Sequence, residues 1–251
     1  MTNLDLLSQT HWQPLKAFGV THSFFNIHAT TMINSWLVVG IILLFGLSVR
    51  FILSRKESVL RFLVISFVQA FEKLVEQTLG FFSFTHFSFV TSLFTFIALC
   101  TIISLIPGTS EPTKDLNTTL ALALISFCYI QFFAIKVHGL WHYIKDYFLP
   151  IFIMLPLNVI GKVAIIISMS FRLFGNTFGG ATIGEIYFGL IDQAPLWVNA
   201  LVRLSGINLV IVLFFGLFEG FIQAFVFAML SLTYLSNAIT YESAEQHEGI
   251  P

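Results

Sequence analysis

The sequence predicts an all-α polytopic membrane protein: five transmembrane helices, one amphipathic interfacial helix, and a long tilted hairpin made by the last two spans. Three observations predict it. The 251 residues are 57% hydrophobic and only 10% charged, against about one quarter charged in a soluble domain. Apolar runs long enough to cross a bilayer, ~20 residues or more, recur between short polar breaks. One further segment carries its polar residues at helical spacing among apolar ones, the pattern of a helix lying in the membrane surface.

The elements follow in order. An outer segment, 1–30, lacks both the basic start and the continuous apolar core of a signal peptide. The first span, 31–54, ends in the basic cluster Arg50, Arg55, Lys56 and Arg61. By the positive-inside rule that end faces the cytoplasm or its organellar equivalent, and the N-terminus lies outside. In 57–82, Ser58, Arg61, Gln69, Glu72, Lys73 and Glu76 recur at helical spacing, giving the interfacial helix. A hairpin of two spans occupies 87–136, joined by IPGTSEPTKDLN, which reads as an exposed turn. Lys136, His138, His142, Lys145 and Asp146 make a polar patch on the inner side.

The long tilted hairpin is expected over 150–240. Pro150 and Pro156 flank the start of an apolar run reaching about residue 190. A short break, IDQAPLWVN, precedes a second run over about 200–239. Each run far exceeds a perpendicular span, so tilt or a stretch along the membrane is implied. A polar tail, 241–251, lies inside. The chain reads as one membrane unit over 1–251 without the internal repeat of inverted-repeat transporters.

Several classes fall away. A net charge of −1 carries no basic signature, so no nucleic-acid partner is expected. Cys100 and Cys128 sit in apolar segments with neither metal nor disulfide spacing. His138 and His142 stand i, i+4 but have no companion ligand, so no metal is predicted. No nucleophile elbow, phosphate loop or zinc motif is present, and no cofactor or catalytic centre is expected.

The remaining chemistry lies in the last two spans. Arg172 is the only formally charged residue between Val163 and Gly184, and a guanidinium is costly at the centre of a membrane. Ser168, Arg172, Asn176 and Gly179 share a helical face. Two readings stay open on spacing alone: an arginine paired with a neighbouring carboxylate, or a fixed cation on an ion path. Gly175 with Gly179, then Gly180 with Gly184, are consecutive small-xxx-small patterns that suit close helix packing, within this chain or against a partner. Glu219 and Gln223 stand one turn apart, and a carboxyl group in apolar surroundings can carry a proton near neutral pH. Glu185 lies thirteen residues beyond Arg172, roughly 20 Å along a helix, toward the outer surface. Lys162, ten residues before the arginine, reads as a snorkelling side chain near the inner surface.

These residues carry a resemblance. SFRLFGNTFGG, 170–180, resembles the signature of subunit a of F-type ATP synthases, the stator subunit beside the rotary c-ring. FIQAFVFAMLSLTYL, with Gln223, is similar to the family's last helix, EPTKDLNTTLALAL to its loop entering the fourth helix, and LPLNVIGK to the approach to the arginine helix in some bacterial members. The resemblance covers about 28–240. It implies a non-catalytic subunit of the whole complex, set in lipid beside c-ring subunits and peripheral-stalk b-type subunits. A bacterial inner membrane is implied, with an organellar one the alternative.

It also implies a role for the arginine. A carboxylate on each c-subunit carries the ion, and Arg172 stands between two offset aqueous half-channels. A permanent cation attracts the passing carboxylate and blocks a direct proton leak. The glycines at 175, 179, 180 and 184 would let the ring's helices slide past.

Three positions depart from the family pattern. Ala181, Asn158 and Gly216 stand where many members carry ionisable or polar residues. Glu185, Lys162 and Glu219 follow three or four positions later each time. The expectation is therefore an outer half-channel using Glu219 and Glu185, and an inner one relying on water with Asn158 and Ser168. A self-sufficient transporter is the alternative, and a purely structural membrane subunit, in which Arg172 and Glu219 would be replaceable, is a third reading.

Overall fold

In the computed structural model, residues 11–12, 27–54, 59–104, 109, 111–146 and 154–240 are described. A two-residue antiparallel pairing, β1 (His11–Trp12) with β2 (Ile27–His28), is the only strand structure among them. The rest is helical: α1 (Ala29–Ser54), α2 (Val59–Leu79), α3 (Phe84–Ile103), a 3-10 turn (Pro112–Lys114), α4 (Leu116–His138), α5 (Leu140–Asp146), α6 (Met154–Gln193), α7 (Leu196–Leu204), α8 (Ile207–Ile211), a π-helical segment (Val212–Phe218) and α9 (Glu219–Thr240).

Among the described residues, five helical stretches are long and apolar enough to cross a membrane: Thr31–Phe51, Phe84–Ile103, Leu116–His138, Leu155–Gln193 and Ile207–Ile239. Their outward faces are largely apolar, as lipid contact requires; Leu43, Leu44, Leu47 and Phe51 of α1 are all exposed. α2 is not among the five and behaves as the expected amphipathic helix. Phe71, Val75 and Leu79, four apart, are buried, whereas Glu72, Lys73 and Glu76 are not. Segments 1–10, 13–26, 55–58, 105–108, 147–153 and 241–251, with Ser110, lie outside the described residues. They hold most of the N-terminal segment, Arg55, Lys56, Pro150 and the acidic tail.

The contacts group the chain into two compact units. One takes its described residues from 1–50, 95–118 and 174–223, and buries Val38 of α1 with Cys100 and Ile103 of α3. The other draws on 51–94, 119–173 and 224–251. Its core joins the buried face of α2 to Val90, Ile130, Ala228, Leu232 and Leu235. Polar bonds pin that core. His86 Nδ1 and the Tyr129 hydroxyl lie 2.9 Å apart, and Ser236 donates to the Thr78 carbonyl at 2.7 Å.

The second long run is not continuous. α6 is a single 40-residue helix whose Pro156 falls in the first turn, where a missing N–H costs nothing. It runs on to Gln193, beyond the expected end near 190, and the break shrinks to the two residues before α7. A second interruption is at Gly206, whose φ of +74° is a left-handed conformation open to glycine. Glycine is invisible to hydropathy, so the run over 200–239 hid this turn. Beyond it the π-helical segment leads into Glu219, whose N–H donates to the Phe214 carbonyl five residues back.

Candidate functional site

The first unit contains an open cavity of about 310 Å³. The end of α3 lines it with Thr101 and Ser104, the α3–α4 connection with Glu111 and Lys114, α6 with Asn176, Thr177, Gly180, Ala181, Gly184 and Phe188, and the last arm with Ile211, Phe215, Gly216, Glu219 and Gly220. Small residues make the space. A Cβ on Gly180 would sit 3.6 Å from the Phe215 carbonyl oxygen and 3.7 Å from Glu219 Oε2. A Cβ on Gly220 would lie 2.9 Å from the Thr101 Cβ and closer still to its methyl and hydroxyl, so only glycine fits there.

Two carboxylates line this cavity. Glu219 opens α9, half-buried, and its Oε2 is buried without a hydrogen-bond partner among the described residues. Glu111 is buried at 8% exposure. Thr113 donates to its Oε1 at 2.8 Å, and Thr101 reaches the same oxygen at 3.2 Å while also lying 3.2 Å from the Ile97 carbonyl. Thr177 of α6 donates to the Thr113 carbonyl at 2.9 Å and so holds the connection in place. Burial pushes the Glu111 carboxyl above the ordinary carboxylate range; the Thr113 and Thr101 hydroxyls and the Lys114 charge pull it back in part.

The buried acid corrects one expectation. IPGTSEPTKDLN reads as an exposed turn, yet Glu111, Pro112 and Thr113 are buried. Proline and glycine mark where a chain turns, but burial follows from what receives the turn. Here the threonine hydroxyls satisfy the acid, which removes much of the cost of taking it out of water.

Among the residues singled out by sequence, Arg172 stands mid-way along α6, is exposed, and pairs with no carboxylate among the described residues. Ser168 is exposed and Asn158 half-buried. Asn176 lines the cavity; Glu185 is exposed and is not among the cavity's lining residues. Gln223, one turn after Glu219, is buried, and its Nε2 has no partner among the described residues. Gly175 is exposed and Gly179 half-buried, each with nothing within 4 Å of a Cβ, whereas Gly180 and Gly184 line the cavity.

Lys162, expected near the inner surface, donates to the Tyr143 hydroxyl at 3.1 Å and to Gln131 Oε1 at 3.4 Å, with its Nζ 4.6 Å from the centre of the Tyr143 ring. The Tyr143 hydroxyl in turn donates to Gln131 Oε1. His138 of the inner polar patch likewise finds a partner, donating from Nε2 to the Ala238 carbonyl at 2.8 Å.

The sequence matches the family model described as ATP synthase A chain over residues 32–236. The chain belongs to this family. It is 31% identical over 243 residues to ATP synthase subunit a 2 of Acaryochloris marina, covering 94% of this chain and 95% of that relative. It is 34% identical over 214 residues to ATP synthase subunit a of Moorella thermoacetica (84% and 90% of the two chains), and 32% identical over 223 residues to that of Albidiferax ferrireducens (86% and 89%). Membership gives the cavity a context. Ala181 and Gly216, two of the positions singled out in the sequence, both line it, as does Glu219.

Proposed function

We propose that this chain is the proton-conducting stator subunit of an F-type ATP synthase, with the cavity beside Glu219 as its outer half-channel. As a multi-pass membrane member of the subunit a family, it works in ATP synthesis coupled to proton transport, in a complex with other ATP synthase subunits. The observation that carries the finer reading is the half-buried Glu219 on an open cavity that also collects Asn176, Ala181 and Gly216.

The chemistry runs through this chain's own groups. A proton entering from the outer side is passed to Glu219, then to a carboxylate on a c-ring subunit. Arg172, exposed in this chain, is available to a neighbouring subunit. It stabilises the ring carboxylate in its ionised form and repels protons that would otherwise cross directly. Gln223, one turn beyond Glu219, adds a buried side-chain amide to the start of the last helix beside that acid. The inner half-channel relies on water beside Asn158 and Ser168. Gly175 and Gly179, with open space beside them, are where a ring helix packs closely.

The subunit itself is non-catalytic. Each elementary charge moved is worth about 2.3 kcal/mol per 100 mV, and that work turns the ring. Peripheral-stalk b-type subunits hold the chain against the torque. The relatives named above are bacterial, which favours the bacterial inner membrane. The test is Glu219→Gln in the assembled complex: proton transport falls steeply if Glu219 relays the proton, and undiminished transport removes it from the path.

A further inference from the structure

We propose that Glu111 is a second proton carrier of the outer half-channel, standing before Glu219 on the same cavity. The inference rests on the stator reading above. It assigns to the α3–α4 connection a function beyond joining two spans. Glu111 and Glu219 come from elements more than a hundred residues apart in the chain and line one space of about 310 Å³. A water's share of liquid volume is about 30 Å³, so the space is large enough for a short water chain between the two acids.

The setting of Glu111 suits a group that changes charge. The hydrogen bonds from Thr113 and Thr101 both fall on Oε1, so its other oxygen is not tied up by them. Both donors are hydroxyls, which can donate to the carboxylate and turn to accept once it is protonated. The groups facing it are few. Lys114 lies on the same connection and lines the cavity, the Cys100 thiol comes from α3, and Glu219 stands across the cavity on α9. Lys114 acts on Glu111 through its charge and, among the described residues, forms no ion pair with it that would fix the acid as permanently ionised. Burial favours the neutral form, so the acid takes up protons at a pH where an exposed carboxylate would not.

The transfer balances simply. The Glu111 carboxylate takes a proton from a hydronium entering from the outer side, leaving water. The resulting carboxylic acid gives that proton through the cavity's water to the Glu219 carboxylate. Glu111 is then ionised again, and the net change is one proton moved inward. Glu185, exposed and outside the lining residues, is not needed for this step.

The test uses the whole complex in inside-out vesicles, whose lumen corresponds to the outer side, with ATP synthesis driven by an imposed acid lumen. Wild type, Glu111→Gln, Glu111→Asp, Thr113→Val and Arg172→Ala are compared over a range of luminal pH at equal assembly. Glu111→Gln should slow synthesis roughly tenfold; this is less than the ~10² of a positioned acid–base group, because water offers a bypass. It should also flatten the luminal-pH dependence, and Glu111→Asp should restore it. Thr113→Val removes a bond to the carboxylate form, so the luminal-pH midpoint should move upward while the maximum rate stays near wild type.

If Glu111→Gln keeps the wild-type rate and pH profile, Glu111 is only a satisfied buried acid. If Glu111→Gln does not assemble, Thr113→Val decides: an unmoved midpoint overturns the proposal. Arg172→Ala separates the two readings. Its loss of synthesis beside a normal Glu111→Gln overturns Glu111 alone, and normal synthesis by Arg172→Ala overturns the stator reading on which Glu111 rests.

Discussion

Gly220→Ala should destabilise the subunit by about 2 kcal/mol and disturb the cavity that the proton uses. The added Cβ would sit 2.9 Å from the Thr101 Cβ, against ~3.5–4.0 Å for unstrained carbon contact. Thr101 is 1% exposed, and its own Cβ is in the way, so no change of rotamer relieves the overlap. Overpacking of this kind costs about 1–3 kcal/mol. The helix-propensity gain from replacing glycine offsets roughly 0.5–1 kcal/mol of it. Displacing Thr101 also weakens its bond to Glu111, which adds about 1 kcal/mol and brings the net cost to about 2 kcal/mol. At ~2–4 °C per kcal/mol for a chain of this size, heat-induced release of the subunit from the purified complex should begin ~4–8 °C earlier. Gly46→Ala, on α1 with nothing within 4 Å of its Cβ, is the control and should shift nothing downward. An unchanged midpoint and full coupled pumping in Gly220→Ala would refute the packing at Thr101.

Three further outcomes are expected. Gly175→Ala should leave the release temperature unchanged, because open space surrounds it, yet should reduce ATP-driven pumping if a ring helix packs there; intact pumping would move that contact elsewhere. Glu219→Asp should keep a measurable fraction of the pumping that Glu219→Gln loses, and equal rates for the two variants would mean that the acid is not the relevant feature. Lys162→Met removes its contacts to Tyr143 and Gln131 and should cost about 1 kcal/mol of stability with transport largely kept. A transport loss without destabilisation would place Lys162 on the inner path instead.

The five spans and the surface helix were legible because lipid rewards apolar length and the interface rewards helical spacing, and both are read directly from residue order. Arg172, Glu219 and Gln223 were legible because a polar side chain kept within an apolar run bears a desolvation cost that marks it at once. Glu111 was not. In sequence it is one acid in a turn rich in proline, serine and threonine, and only the approach of Thr177 from a helix more than sixty residues later shows that the turn is buried. The glycines divide for the same reason: the two small-xxx-small patterns, Gly175 with Gly179 and Gly180 with Gly184, read alike in sequence, but the last arm packs against Gly180 and leaves Gly175 and Gly179 open. Gly206 broke the final run because a left-handed residue ends a helix whatever the hydropathy around it.

The central claim is that a fixed cation on α6 couples ion flow to rotation. Its most direct test is ATP-driven acidification of inside-out vesicles carrying the whole complex, wild type against Arg172→Ala, at matched assembly and ATPase content. The account predicts acidification by wild type and none by the variant. An assembled Arg172→Ala complex that acidifies its vesicles as well as wild type would contradict it.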